Sequence, residues 1–172
     1  LVVVNIFDTS IRQRTESVKA ELRQHHGIAG VAFSSHLPGG SARRNVFAPQ
    51  GFAYENMQMM DAVSVDADFV PTMQIGTLAG RNFLSDQSSD SRRDILINET
   101  AVKKFGWTAE SAVGKTIVEL TDTMVEKTIV GVVRDYHQRN LYNTIEPLYL
   151  ELRPESFHIA LIRIRPDSIS ET

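Results

Sequence analysis

The apolar residues of this chain are gathered into short runs of strand length. "LVVVNIF" at 1–7, "IAGVAFSS" at 28–35, "DILIN" at 94–98 and "TIVGVVR" within 126–134 are rich in Val and Ile, β-branched residues that pack well on a pleated surface. Further strands are expected at 58–66, where Val63 and Val65 share a face, and at 115–120. Another opens at Pro147, with Leu148, Leu150 and Leu152 on one side, and the last covers 157–165, with Ala160, Ile162 and Ile164 on one side.

Helical periodicity is scarcer. Ile11, Thr15, Val18 and Leu22 form one stripe. A Ser10–Gln13 capping box would open that helix, and His25-His26-Gly27 would close it, with Gly27 as a left-handed cap. Asp68 ahead of Pro71 predicts a short capped turn. Asn98 caps a helix over 99–105, with Glu99 in its first turn, Lys103 and Lys104 in its last, and Gly106 beyond. One more turn over 108–113 stops at Gly114. "HLPGGSARRN" at 36–45 and "SDQSSDSRRD" at 85–94 read as loops, "TDTMV" at 121–125 as a hairpin connection, and the stretch from 36–45 up to residue 57 has no clear pattern. Strands outnumber helices and the helices lie between them, so the class is α+β, in two lobes.

The 172 residues suit one large domain or two small packed units, and 42% hydrophobic residues suffice for a proper core. A net charge of -3 provides no basic field for nucleic acid or anionic lipid. The lack of cysteine excludes disulfides and thiolate metal sites. No apolar run approaches the ~20 residues of a membrane-spanning helix. The chain does not begin with Met and stops in "SISET", which looks like a helix beginning, so a fragment of a longer protein is expected.

"TIVGVVRDYHQRN" at 128–140 ends in a charged cluster. Asp135 and His137 would point the same way from an extended chain, as two metal ligands or as a base and its orienter. The plainer reading is a strand emerging into solvent. A metal needs a third ligand, and the other histidines, at positions 25, 26, 36 and 158, lie in loops or at a helix end. Neighbours such as His25 and His26 diverge by about 100° on a helix. "AESAVGKT" at 109–116 ends like a phosphate-binding loop, but Ala109 stands where that loop needs Gly, and a strand follows where it needs a helix. No G-x-S-x-G elbow or Ser-His-Asp order occurs. Met57, Met59 and Met60 hint at an adaptable binding surface, although core packing of at least two of them is the simpler expectation. No catalytic, cofactor-binding or metal-binding residue is assigned.

Three stretches in order resemble a known family: "VSVDADFVPTMQIGTLAGRNF" at 63–83, "ILINETAVKKFGW" with "AVGKTI" at 95–117, and "TIVGVVRDYHQRNLYNTIEPLYL" at 128–150. Together they resemble the MacB-like periplasmic core domain of FtsX-like ABC transporter permeases, and "VVRDYH" is most similar to the multi-domain permeases of Bacteroidetes-type bacteria. The likeness covers residues 60–165, and more loosely "GIAGVAFSSHLPGG" at 27–40. It implies a periplasmic domain of a bacterial inner-membrane protein, held between two transmembrane helices. The implied fold has a βαβ-containing lobe, residues 1–74 with 147–172, and a smaller inserted α+β lobe, residues 75–146. Family domains continue through a further helix and strand, so the first lobe is expected to be truncated near Ser170-Glu171-Thr172, with exposed apolar surface or an unpaired strand edge.

The resemblance also implies a non-catalytic role without cofactors, in which Asp135 and His137 mark a junction between segments. ATP hydrolysis would belong to a separate subunit or domain, and this domain would couple that motion to efflux or export of cargo. The implied partners are an ABC ATPase acting through the parent permease, a second permease copy, and a periplasmic adaptor or lipoprotein, with no nucleic acid. Two rival readings come from the residues themselves. One is a passive module capturing a peptide or small hydrophobic compound between lobes; the other is a hydrolase using Asp135 and His137.

Overall fold

The computed structural model describes residues 1–40, 42–49, 57–84, 93–120, 124–139 and 141–167, apart from the side chains of Thr9 and Gln13. Most of the expected loop at 85–94, the centre of the 121–125 connection, Asn140 and the terminal Ser170-Glu171-Thr172 lie outside the described residues, as does the Gln13 half of the expected capping box.

In chain order the elements are β1 (Val2–Asn5), α1 (Thr9–Gln13), α2 (Thr15–Leu22), β2 (Ile28–Ser34), β3 (Arg43–Pro49), β4 (Gln58–Val65), α3 (Phe69–Met73), β5 (Thr77–Gly80) and β6 (Asp94–Asn98). Then follow α4 (Glu99–Lys104), α5 (Ala109–Ala112), β7 (Thr116–Glu119), β8 (Val125–Val133), β9 (Leu148–Leu152), a 3-10 turn (Pro154–Ser156) and β10 (Ile159–Ile164).

Strand pairing closes on itself. Passing from β4 through β3, β7, β8, β6 and β9, the ladder returns to β4 by a parallel β4–β9 pairing that sets Ala62 against Tyr149 and Ser64 against Glu151. This six-stranded ring has no free edge along its circuit. Residues on alternate positions face inward, where Phe47, Met60, Ile95, Ile97, Ile117, Ile129 and Tyr149 build one core with Ala101, Val102, Phe105 and Ala112. Phe47 and Tyr149 meet edge to face, with ring centroids 4.7 Å apart.

A three-stranded flap, β2–β10–β1, leaves the ring where Ser34 pairs with Val65. One face of the flap, with Ala32 and Leu161, packs with α3 on the outer wall of the ring, against Val63, Val65, Leu96, Leu148, Leu150 and Leu152. The opposite face, with Val31, Phe33 and Ala160, is covered by Ile11, Val18 and Leu22 of α1 and α2. At the outer end, β1 pairs with β10, and Val2, Val3 and Val4 stay 40–46% exposed.

Several local expectations are corrected. The expected loop at 36–45 ends early, because Arg43, Arg44 and Asn45 pair with Ala62, Asp61 and Met60 and already belong to β3. The helix cap is Asp8, whose carboxylate accepts from the Ser10 N–H at 2.8 Å. The Ile11–Leu22 stripe is carried by two helices that break at Arg14, where φ is -123° and ψ 27°. Gly27 is not left-handed, because α2 already ends at Leu22 and a turn follows. Asp68 occupies the cap position of α3 without a side-chain cap bond; its carboxylate binds Lys19 at 2.6 Å and Arg23 at 2.7 Å instead. Of the three methionines only Met60 is buried, while Met57 and Met59 are exposed. The cap at Asn98 forms as expected, and Gly106 and Gly114 take positive φ.

Candidate functional site

The chain leaves β8 at Val133, and the strand alternation that would align Asp135 with His137 ends there. Asp135 turns toward α4. Its carboxylate accepts from the Thr100 N–H at 3.0 Å and the Thr100 hydroxyl at 2.8 Å, and its own N–H donates to Glu99 Oε2 at 3.0 Å. These bonds satisfy donors of the first helical turn, which no intrahelical partner reaches. Asn98 adds a second tie: its Oδ1 accepts from the N–H groups of Ala101 and Leu148, and its Nδ2 donates to the Glu146 carbonyl. The first turn of α4 therefore fastens both the segment after β8 and the approach to β9. His137 is exposed and takes no part in these bonds.

The centre of the region is Asp61 of β4, a residue the sequence did not single out. It is 2% exposed. Arg139 grips its carboxylate with two hydrogen bonds, of 2.9 and 2.8 Å, and Arg44 approaches at 3.2 Å. The Asp61 N–H donates to the Pro147 carbonyl at 2.8 Å. Hydrogen bonding to Asp61 holds the Arg139 guanidinium above its ordinary range. Beside this clamp lies a cavity of about 10 Å³, lined by Asp61, Tyr136, His137, Gln138 and Arg139 among others. The Tyr136 hydroxyl and Gln138 Nε2 are buried there without protein partners, and burial pushes the Tyr136 phenol well up. Such a space holds about one water molecule and no substrate. The arrangement is a latch joining β4, the segment after β8 and the lead into β9.

A second polar cluster lies inside the ring. Lys127 stands 2.8 Å from Glu151 and 3.8 Å from Glu119. Arg43 reaches Glu151 at 3.1 Å and Glu119 at 4.0 Å. Ser64 Oγ donates to Glu151 at 3.2 Å, and Asn45 Nδ2 donates to Glu119 and to the Tyr149 hydroxyl. Burial, then the Glu151 charge, raises the Tyr149 phenol far above its usual value. Arg153, half exposed, adds a third cation 3.7 Å from Glu151, so neither buried carboxylate is left unpaired.

The other candidates fall to local structure. In "AESAVGKT" the Ser111 N–H is taken by the Thr108 hydroxyl in a capping box and the Gly114 N–H by the Ile129 carbonyl, so these donors do not converge on a ligand. His36 bonds Ser35 through Nδ1, and burial lowers its pKa. Among the described residues, no three His, Asp or Glu side chains are placed to hold a metal ion. Sequence reasoning missed Asp61, Lys127, Glu119 and Glu151. The available signal was a charge on the same strand face as neighbouring apolar residues, as in "TIVE" and "LYLEL".

No family model and no curated protein matches the sequence. Solved structures do share its fold. The periplasmic region of MacB from Actinobacillus actinomycetemcomitans aligns over 98% of this chain and 77% of its own, with TM-score 0.63 and 13% identity. The extracellular domain of the noncanonic ABC-type transporter YknZ from Gram-positive bacteria aligns over 97% and 84%, with TM-score 0.60 and 12% identity. A domain of a protein described as a permease from Porphyromonas gingivalis aligns over 88% and 70%, with TM-score 0.58 and 18% identity. The chain thus has the mixed α+β fold of the MacB periplasmic region.

Proposed function

We propose that this chain is the extracytoplasmic domain of an ABC transporter permease and that it transmits motion without making or breaking bonds. The observation that carries the proposal is the shared fold: nearly the whole chain aligns with the periplasmic region of MacB and with the extracellular domain of an ABC-type transporter. No described helix is long and apolar enough to cross a membrane. The ionisable clusters support the same reading. Asp135, Asp61 and the Lys127 network are committed to internal ties.

In this proposal the parent permease works with an ABC ATPase in a separate subunit or domain. A second permease copy and a periplasmic adaptor or lipoprotein are its further partners, and the output is efflux or export of cargo. The proposed lobes, 1–74 with 147–172 and 75–146, are stitched together by the β3–β7 and β6–β9 pairings. That stitching suits a body that moves as one piece.

The chain contains no cysteine, so Leu84→Cys, at a position 60% exposed, gives the domain a single thiol. In the parent permease a membrane-impermeant maleimide should label that thiol on spheroplasts before lysis. Labelling only after lysis refutes the location. For the coupling half, a flexible Gly-Ser spacer ahead of Val2 should lower transport by the reconstituted permease–ATPase while ATP turnover persists. Transport undiminished by the spacer refutes transmission.

A further inference from the structure

A cleft of about 190 Å³ opens between α4 and the β5–β8 pair, away from the Asp61 latch. Its walls are apolar: Leu78 of β5, Val132 of β8, Val102 of α4, and Trp107 and Ala109 beyond it. The volume falls below the roughly 300–1,000 Å³ of sites for drug-sized ligands, so it accommodates one aromatic ring or a branched alkyl group. Trp107 is held in place on the wall. Phe105 packs against it with centroids 4.9 Å apart, and the Lys115 ammonium lies 5.3 Å from the indole centroid.

Two charged residues line the mouth, and they are not equivalent. Glu99 Oε2 accepts the Asp135 N–H at 3.0 Å, which turns one carboxylate oxygen toward the chain after β8 and leaves its charge in place. Lys103 lines the same cleft, is exposed and makes no ion pair among the described residues. Lys115, beside the indole and outside the lining, is a second cation, so around the cleft two ammonium groups outnumber the Glu99 carboxylate. An ammonium next to a half-buried apolar wall attracts an anion that carries its own apolar body.

We propose that this cleft binds small amphipathic carboxylates, with the apolar body against Trp107 and Val102 and the carboxylate on Lys103. The site is independent of the transporter reading.

Trp107 is the only tryptophan, so its fluorescence reports the cleft directly. Three probes share one phenyl body: phenylacetate, phenethyl alcohol and phenethylamine. Titrated into the isolated domain, phenylacetate should give a saturable change, the alcohol a weaker one, and the amine binding about tenfold or more below the acid. Lys103→Gln, on an exposed side chain, should bring phenylacetate down to the affinity of the alcohol and leave the alcohol unchanged. Three outcomes would each overturn the proposal: no saturation with any probe, amine binding as tight as acid, or an unchanged acid preference in Lys103→Gln.

Discussion

Replacing Arg44 and Arg139 together by Gln removes both cations from the Asp61 latch. Asp61 is 2% exposed, whereas the Arg44 and Arg139 side chains keep 36% and 29% of their surface in water. The two sides of the latch therefore respond differently to loss of a partner. Without the arginines, a carboxylate is stranded in the interior, which costs about 3–5 kcal/mol. For a domain of this size each kcal/mol lowers Tm by about 2–4 °C, so a fall of about 6–20 °C follows. Adding Asp61→Asn removes the stranded charge, and only about 1 kcal/mol of lost hydrogen bonding remains. Asp61→Asn alone should cost less than the double arginine change, because the released guanidinium groups rehydrate. Urea unfolding at neutral pH, with the midpoint and slope fitted together, measures all four proteins. A triple variant no more stable than the double refutes the assignment of Asp61 as a buried charge dependent on these two arginines.

Two further perturbations follow from burial and close packing. Burial pushes the Asp66 carboxyl from 3.8 up to about 6, against the pull of Lys19 at 3.1 Å. Between those values the folded chain keeps a proton on Asp66 that the unfolded chain has released, so the contribution of this group to stability is full below about pH 4 and is lost, by about 3 kcal/mol, as pH rises through 6. Asp66→Asn lacks that component, and a wild-type-minus-variant stability difference that stays flat across the window in urea titrations would be the contrary result. Gly131 pairs with Gly80 where β5 meets β8, and a methyl at Gly131 would sit 2.3 Å from the Arg81 carbonyl oxygen. Gly131→Ala should therefore lose more than about 4 kcal/mol. Gly106→Ala, whose methyl meets nothing within 4 Å but whose φ is +70°, should cost about 1–2 kcal/mol, and equal losses for the two would contradict the steric argument.

What could be read from the sequence was mostly local. The Val- and Ile-rich runs became β1, β2, β6 and β8, and the alternating leucines of β9 lie on one wall as expected. The Asn98 cap and the Gly106 and Gly114 stops also formed, because each is decided within a few residues. β3 escaped notice because its inward positions begin with Arg43 and Asn45, which a period-two pattern assigns to solvent. β5 is four residues long and ends in Gly80, too short to register as a strand. Lys127, Glu119 and Glu151 went unremarked because charged side chains are ordinarily assigned to solvent. Only ring closure shows otherwise, and it unites residues as distant as Ser64 and Glu151. The Asp135–His137 pair failed for the opposite reason: an extended chain was assumed beyond Val133, where the strand had ended. The segments at 63–83, 95–117 and 128–150 that suggested a family are rich in caps and turns, and the fold they implied is the one shared with the MacB periplasmic region.

The register that joins Val2 to Ile162 and Asn5 to Ile159 sets the first and last strands side by side and head to tail. Val2 and Ile162 consequently stand together at one corner of the body, as a flag meets its pole. Drawing those two strand ends apart would unzip the outer ladder rung by rung, against little resistance.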